Sequence, residues 1–125
     1  MQLERLRRRA DFAAVQRQGQ WWSNSLLTLR TRPNEPTRSR CGFLVSKRVG
    51  NAVARNLAKR RLKAITRGEA IALGWDMVFI ARPKIAQASF LDIRNSVQDL
   101  TRRAHLNERP PIKQVIGATK PEGVS

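Results

Sequence analysis

The residues best placed to do chemistry in this sequence are cations, concentrated between Val45 and Arg67. No Asp or Glu occurs between Glu35 and Glu69. Read as a helix from Ala52 at 100° per residue, the stretch places its long polar side chains within one arc. Solvated helices normally pair cations with acids four residues away, so this arc predicts an external anion. Its members are Arg55, Asn56, Lys59, Arg60, Lys63 and Arg67.

The opposite arc of the same predicted helix is apolar and should face a core. Its members are Val53, Ala54, Leu57, Ala58, Leu62, Ala64 and Ile65. Arg61 falls near the middle of this arc and breaks the pattern. Either its stem runs along the apolar surface to the helix edge, or the helix is turned further than the simple projection assumes. The sequence leaves both explanations open.

No arrangement typical of a catalytic site accompanies these cations. His105 and Cys41 are the only residues of their types, and neither has an evident partner to orient or activate it. The nine Asp and Glu residues are scattered singly, whereas two-metal hydrolysis needs clustered carboxylates. We therefore expect neither catalysis by this chain alone nor a metal site. Cys41 alternates with Phe43 and Val45, which predicts a buried strand thiol.

Composition narrows the class of partner. The chain has 125 residues, a formal net charge of +16 and a pI near 11.9, which favours nucleic acid first and an anionic membrane surface second. No apolar run approaches the ~20 residues needed to cross a bilayer, and we expect a cytoplasmic protein. The apolar arc also has few of the large residues typical of membrane-surface helices. No DNA-reading motif is present.

The rest of the sequence predicts an alternation of helices and strands. Residues 1–9 are basic and expected to be loose, and Trp21 and Trp22 are expected to begin a short strand. Asn51 is a plausible N-cap for the basic helix, and Ser89 with Asp92 predicts a capping box for a last helix. The core face of that helix is Phe90, Ile93, Val97, Leu100 and Ala104. The predicted segments are helix 10–18, strand 25–32, loop 33–39, strand 40–46, helix 52–67 and a doubly covered strand 77–81.

This order predicts an α/β sandwich, in which helices pack on a sheet. We expect one α/β domain over residues 1–108. Residues 109–125 contain prolines and glycine without helical or strand periodicity, which predicts a disordered tail.

The segment from Lys47 to Arg60, with the pattern KRVGNAV-x-RN-x-x-KR, resembles the signature of the bacterial ribonuclease P protein subunit family. That family carries R-N-R-x-x-K-R-x-x-R in loose form on a helix that follows a strand. Leu57 stands where the third residue of the motif is an arginine, and Lys63 stands where the last arginine is expected. The resemblance extends from about Leu6 to Leu106.

The resemblance implies more about the fold than the pattern of elements does. It implies a two-layer α/β sandwich with a mixed four-stranded sheet in a ribosomal-protein-like arrangement, the first short strand being Trp21–Trp22. It also implies a left-handed crossover from strand through basic helix to strand. General experience predicts the opposite hand, because about 98% of such crossovers are right-handed.

The resemblance also implies a division of labour in which the RNA subunit is catalytic and binds Mg²⁺. The protein subunit binds that RNA and the 5′ leader of precursor tRNA, and the holoenzyme is the endoribonuclease that removes the leader. A structural RNA-binding protein, such as a ribosomal protein, or an RNA chaperone is the alternative. The RNA-binding residues would be Lys47, Arg48, Arg55, Asn56, Lys59, Arg60, Lys63 and Arg67.

The family's second RNA surface is a cleft between the first helix and a sheet face, where aromatic side chains stack on leader nucleotides. Phe12 matches one of those aromatics, and Arg30 would meet a leader phosphate. Gln16, Leu27 and Arg30 itself stand at positions that are often aromatic in the family. Plain core packing is the competing explanation for Phe12.

Overall fold

The sheet and its helices follow the predicted order, with one strand more than expected. The computed structural model describes residues 3–111. Its strands are β1 (Leu3–Arg5), β2 (Gln20–Ser23), β3 (Leu27–Pro33), β4 (Ser39–Leu44) and β5 (Trp75–Ala81). Its α-helices are α1 (Arg9–Gln18), α2 (Ala52–Arg67) and α3 (Phe90–Arg103), and short 3₁₀ turns span Lys47–Val49 and Pro83–Gln87.

The sheet is mixed and has the order β1-β4-β5-β3-β2. Strands β1, β4 and β5 are parallel, and β3 and β2 continue the sheet with antiparallel pairing. The α/β class is confirmed, whereas the four-strand count is wrong. Strand β1 lies in residues expected to be loose, and it pairs Leu3 with Ser39 and Arg5 with Cys41. Three residues give no periodic signal, so only the distant partner β4 makes this segment a strand.

Helix α2 connects the neighbouring parallel strands β4 and β5. This crossover is the unit for which a left-handed path was expected, and its hand stays a prediction. Strand β5 is buried on both faces, as predicted. One face packs against α2 and α3 through a large core, and the opposite face carries α1 over Val78. Among residues 3–111, no helix combines the length and hydropathy that crossing a bilayer requires.

Both predicted helix starts are confirmed. Asn51 Oδ1 accepts a hydrogen bond from the Ala54 amide at 3.0 Å. Ser89 and Asp92 form the reciprocal capping box, with bonds of 3.0 and 3.1 Å. The predicted core face of α3 is buried except for Phe90, which is 44% exposed. Phe90 is the first residue of the helix, and side chains lean toward the helix N-terminus, so its ring projects past the packed turn.

The orientation of α2 explains Arg61. Ala58, Leu62 and Ile65 are buried, but Val53 is 76% exposed and Leu57 is 37% exposed. Ala64 is exposed as well. The helix is therefore turned further than the sequence projection assumed, and half-buried Arg61 lies at the margin of the buried face. Its Nη1 donates to the Ala88 carbonyl at 3.2 Å.

The C-terminal part of the described chain returns to the sheet. Trp75 Nε1 donates to the Glu108 carbonyl at 2.8 Å. A side chain at Gly74 would come within 2.8 Å of Pro110 Cδ. The start of the predicted tail therefore lies against the beginning of β5, whereas residues 112–125 lie outside the described residues.

Helix α1 approaches the sheet closely because β4 has a glycine beneath it. A Cβ placed on Gly42 would overlap the Phe12 ring and lie 3.1 Å from Leu6 Cβ. Val15, one turn after Phe12, is fully buried and packs with Val78. Because Gly42 has no side chain, the Phe12 ring can pack directly against the backbone of β4.

Replacing Gly42 with Ala should lower the free energy of unfolding by about 1–3 kcal/mol, the usual range for bulk added to a packed site. The new methyl group would displace the Phe12 ring. Urea unfolding measures the change. In a Phe12→Ala background the same substitution should be much less damaging, and equal losses in both backgrounds would show that the ring does not cover Gly42.

Candidate RNA interface

The cationic face of α2 is open to solvent along its length. Asn56, Lys59, Arg60 and Arg67 are exposed, and Arg55 and Lys63 are half-buried. None of the ion pairs within residues 3–111 involves a cation of α2. These charges therefore repel one another without internal compensation, which is the arrangement expected of a phosphate-binding surface.

The surroundings of Lys63 disfavour its charged form, and charge repulsion is one of the causes. Partial desolvation lowers the pKa of its ammonium group, and the neighbouring charges of Arg5, Lys59 and Arg67 lower it further. Arg5 belongs to β1, so folding of the N-terminal segment brings an additional cation to α2. The sequence pointed to Arg5 only as part of a loose basic segment. A small cavity of about 110 Å³ lies between β1 and α2, with Arg5, Lys63 and Arg67 in its wall.

The loop before α2 adds two more exposed cations, Lys47 and Arg48. The Ser46 hydroxyl accepts a hydrogen bond from the Arg48 amide at 3.3 Å and starts their 3₁₀ turn. Gly50 has a φ of 148°, a value that favours glycine, and it joins the turn to the Asn51 cap. The structure thus brings all eight predicted RNA-binding residues onto α2 and the turn that precedes it.

The second predicted site lies on the α1 side of the sheet. Phe12 is half-buried over Gly42, so the packing explanation for this ring has structural support. Arg30 reaches α1 as well, because its Nη1 donates to the Gln16 carbonyl at 2.9 Å. Leu27 is fully buried in the core beneath α2 and α3, and it cannot contribute to the cleft.

The sequence missed Trp21, which at 60% is the most exposed of the Trp and Phe residues in the described part of the chain. Trp21 pairs with Arg30 across β2 and β3, and paired residues project to the same face. Its neighbour Trp22 packs against the opposite core. A Trp-Trp pair in a strand must place one indole on each face, but the sequence does not say which face is covered.

Strand register joins these side chains into one row across the sheet. Trp21 pairs with Arg30, Arg30 with Val78, and Val78 with Gly42. Neighbouring strands lie about 4.8 Å apart, so the row runs from the exposed indole to the site beneath Phe12. Thr28, Ile80 and Leu44 form the next row and are half-buried. These rows give the cleft a largely apolar floor beside α1.

Three arginine Nε groups are buried without a hydrogen-bond partner in the described part of the chain, and they belong to Arg30, Arg38 and Arg55. Buried N–H groups are nearly always paired in native proteins. Arg55 lies on α2 and Arg30 lies in the cleft. Each predicted surface therefore contains a guanidinium group with one N–H that is not paired within the described residues.

The groups considered for catalysis remain apart. Cys41 is buried, and burial raises the pKa of its thiol, which keeps it protonated. His105 lies on the surface, where its Nδ1 is 3.6 Å from a Glu108 carboxylate oxygen. Within residues 3–111, no three His, Cys, Asp or Glu side chains are grouped closely enough to hold a metal ion.

Comparison with known proteins identifies the family. The family model described as Ribonuclease P matches residues 1–105. The chain is 45% identical over 103 residues to the ribonuclease P protein component of Roseiflexus castenholzii, an alignment covering 80% of this chain and 84% of that protein. It is 39% identical over 105 residues to that of Dehalococcoides mccartyi, covering 84% and 88% of the two chains.

Solved structures agree with this match. The RNase P protein of Staphylococcus aureus superposes with a TM-score of 0.75 at 30% identity, covering 83% of this chain and 97% of that one. The RNase P protein of Thermotoga maritima superposes with a TM-score of 0.71 at 30% identity, covering 83% and 96%. Motif, fold and sequence similarity lead to one conclusion: this chain belongs to the ribonuclease P protein family.

Proposed function

We propose that this chain binds the catalytic RNA subunit of ribonuclease P through α2 and the 5′ leader of precursor tRNA through the cleft. The protein is the subunit of an endoribonuclease that matures the 5′ end of tRNA. Its place of action would be the cytoplasm, where bacterial precursor tRNAs are made. The observation that carries the proposal is the presence of two distinct candidate RNA surfaces, one on α2 and the other on the opposite side of the sheet.

The α2 surface suits a structured RNA. The guanidinium groups of Arg55 and Arg60 can each donate two hydrogen bonds to a phosphate, whereas the lysines act as point charges. Asn56 offers both a donor and an acceptor, which suits a 2′-hydroxyl or a base edge. Leu57 is partly exposed on the same helix, and it would replace the charge contact of the usual arginine with an apolar one.

The cleft suits a single strand of variable sequence. Every base has a flat face, so stacking on an aromatic ring is tolerant of sequence. Trp21 provides the exposed ring and Arg30 the neighbouring charge, while Phe12 closes the other end of the row. The leader is the part of precursor tRNA that mature tRNA lacks, so this cleft would discriminate substrate from product.

Magnesium belongs, in this proposal, to the RNA subunit. The described residues offer no cluster of His, Cys, Asp or Glu side chains that fits a metal ion. What the protein supplies is cationic charge and a defined path for the leader. The cationic charge would favour a compact, metal-loaded RNA by screening phosphate repulsion.

Purified protein should not cleave precursor tRNA in Mg²⁺, whereas adding a bacterial ribonuclease P RNA at low Mg²⁺ should yield mature 5′ ends. The reason is that the described residues bring RNA-binding groups but no cluster of side chains suited to hydrolysis. Gel analysis of labelled precursor measures both reactions. Cleavage by the protein alone, or failure to stimulate the RNA, would contradict the proposal and favour a structural RNA-binding role.

Replacing Arg55 and Arg60 together with Ala should weaken binding to the catalytic RNA and flatten its salt dependence. The slope of log affinity against log salt should fall by roughly 0.7–0.9 for each phosphate that the variant no longer neutralises. The charge-matched control is Arg94→Ala with Arg102→Ala, two exposed positions on α3. An unchanged slope in a folded Arg55/Arg60 variant would place the catalytic RNA elsewhere.

Replacing Trp21 with Ala should weaken binding of precursor tRNA by roughly 5- to 150-fold, from a stacking contribution of about 1–3 kcal/mol per base. Mature tRNA should bind nearly as before. Phe90→Ala removes an exposed ring from α3, away from the cleft face, and is the matched control.

Arg30→Ala should share the selectivity of the Trp21 variant, because its charge would meet a leader phosphate. Phe12→Ala should also weaken precursor binding, but its thermal melt must be compared with the wild type since its ring packs over Gly42. If the Trp21 variant loses the same affinity for precursor and mature tRNA, the leader does not bind in this cleft.

A further inference from the structure

A cavity of about 540 Å³ opens beside the first turn of α1; it shares Arg5 with the α2 surface but otherwise lies outside the two surfaces assigned above. Its walls come from β1, the segment that joins β1 to α1, and the beginning of β4. Five arginines and two acids line it, and we call it the arginine pocket. Its lining is Glu4, Arg5, Arg7, Arg8, Asp11, Arg38 and Arg40.

The acids of the arginine pocket are already engaged by two of its arginines. Arg38 Nη2 lies 2.8 Å from a Glu4 carboxylate oxygen. Arg40 Nη1 lies 3.2 Å from a carboxylate oxygen of Asp11. Arg7 and Arg8 are exposed and form no ion pair within residues 3–111. The pocket therefore keeps a positive charge that its own acids do not balance.

Hydrogen bonding is incomplete in the same place. Arg38 Nε is buried and has no partner among the described residues. Guanidinium groups are among the protein groups best suited to hold phosphate oxygens, because two of their N–H groups can bond one phosphate.

The pocket is continuous with the proposed leader cleft. Arg40 bonds Asp11, the residue before Phe12. On β4, Arg40 precedes Gly42 by two residues, about 7 Å along the strand, and Gly42 lies beneath the Phe12 ring. Both positions belong to the face that carries α1. A strand of RNA leaving the cleft past Phe12 would meet the arginine pocket next.

We propose that the arginine pocket binds a backbone phosphate of the precursor tRNA leader, beyond the nucleotides held in the cleft. This inference rests on the proposed leader-binding function of the cleft. Arg7 and Arg8 supply the uncompensated charge and Arg38 the guanidinium with a free N–H. The contact involves only the phosphate, so it extends the bound part of the leader without selecting for its base sequence.

The test uses holoenzyme assembled from the full chain and a bacterial ribonuclease P RNA, with precursor tRNAs whose leaders increase in length one nucleotide at a time. The test variant is Arg7→Ala with Arg8→Ala. The charge-matched control is Lys84→Ala with Arg94→Ala, exposed positions outside the pocket and cleft. Circular dichroism melts confirm that both are folded, and affinity for the catalytic RNA is measured separately.

The affinity of the wild-type holoenzyme for precursor tRNA should rise at the leader length that first reaches the pocket. This rise should be absent in the Arg7/Arg8 variant. Beyond that length its salt slope should be smaller by roughly 0.7 for each single-strand phosphate that the variant leaves unbound. The control should follow the wild type. If the Arg7/Arg8 variant shows the same dependence of affinity on leader length as the wild type, the inference is wrong. It is also wrong if the variant loses affinity for precursor tRNA at every leader length because it binds the catalytic RNA more weakly.

The two proposals fail in different ways in this experiment. If wild-type protein does not make the RNA prefer precursor over mature tRNA, the leader-binding function itself is wrong. If wild type shows that preference and the Arg7/Arg8 variant keeps the full length profile, only the arginine pocket is wrong.

Discussion

The ion pair between Arg40 and Asp76 joins the two central parallel strands β4 and β5 through a buried carboxylate. The Asp76 side chain is 1% exposed and receives bonds of 2.9 and 2.7 Å from Arg40 and 2.8 Å from Asn34. The hydrogen bonds from Arg40 to Asp76 raise the pKa of the guanidinium group. Losing one partner of a buried pair typically costs about 3–5 kcal/mol. Because Arg40 also holds Asp11, the pair links the β4–β5 register to α1.

Local signals in the sequence predicted the element that carries the main RNA surface. The bounds of α2 agree with the structure at both ends, because Asn51 caps the helix and Gly68 follows its last residue. The Ser89 capping box and most of the buried face of α3 were predictable for the same reason. Each of these features is decided by residues within a few positions of one another.

Features decided by distant partners were not predictable. Strand β1 exists because β4 lies beside it, and three residues alone carry no such information. The rotation of α2 depends on its packing against the sheet and α3, which moved Val53 and Leu57 into solvent. Trp21 was recognised as part of a strand, but its exposure depends on which face of β2 the core covers, and the core covers the face of Trp22. The cleft could therefore be predicted from the family resemblance, but its most exposed ring could not.

The ends of the sheet have a consequence for colloidal behaviour. Its outermost strands, β1 and β2, are only three and four residues long, and β1 carries charged Glu4 and Arg5. Short, charged edges discourage the addition of further strands. The net charge of +16 keeps copies apart in addition. A polyanion present in less than stoichiometric amount removes that repulsion while bringing several copies together. The protein is therefore most prone to precipitate when added polyanion nearly neutralises its positive charge.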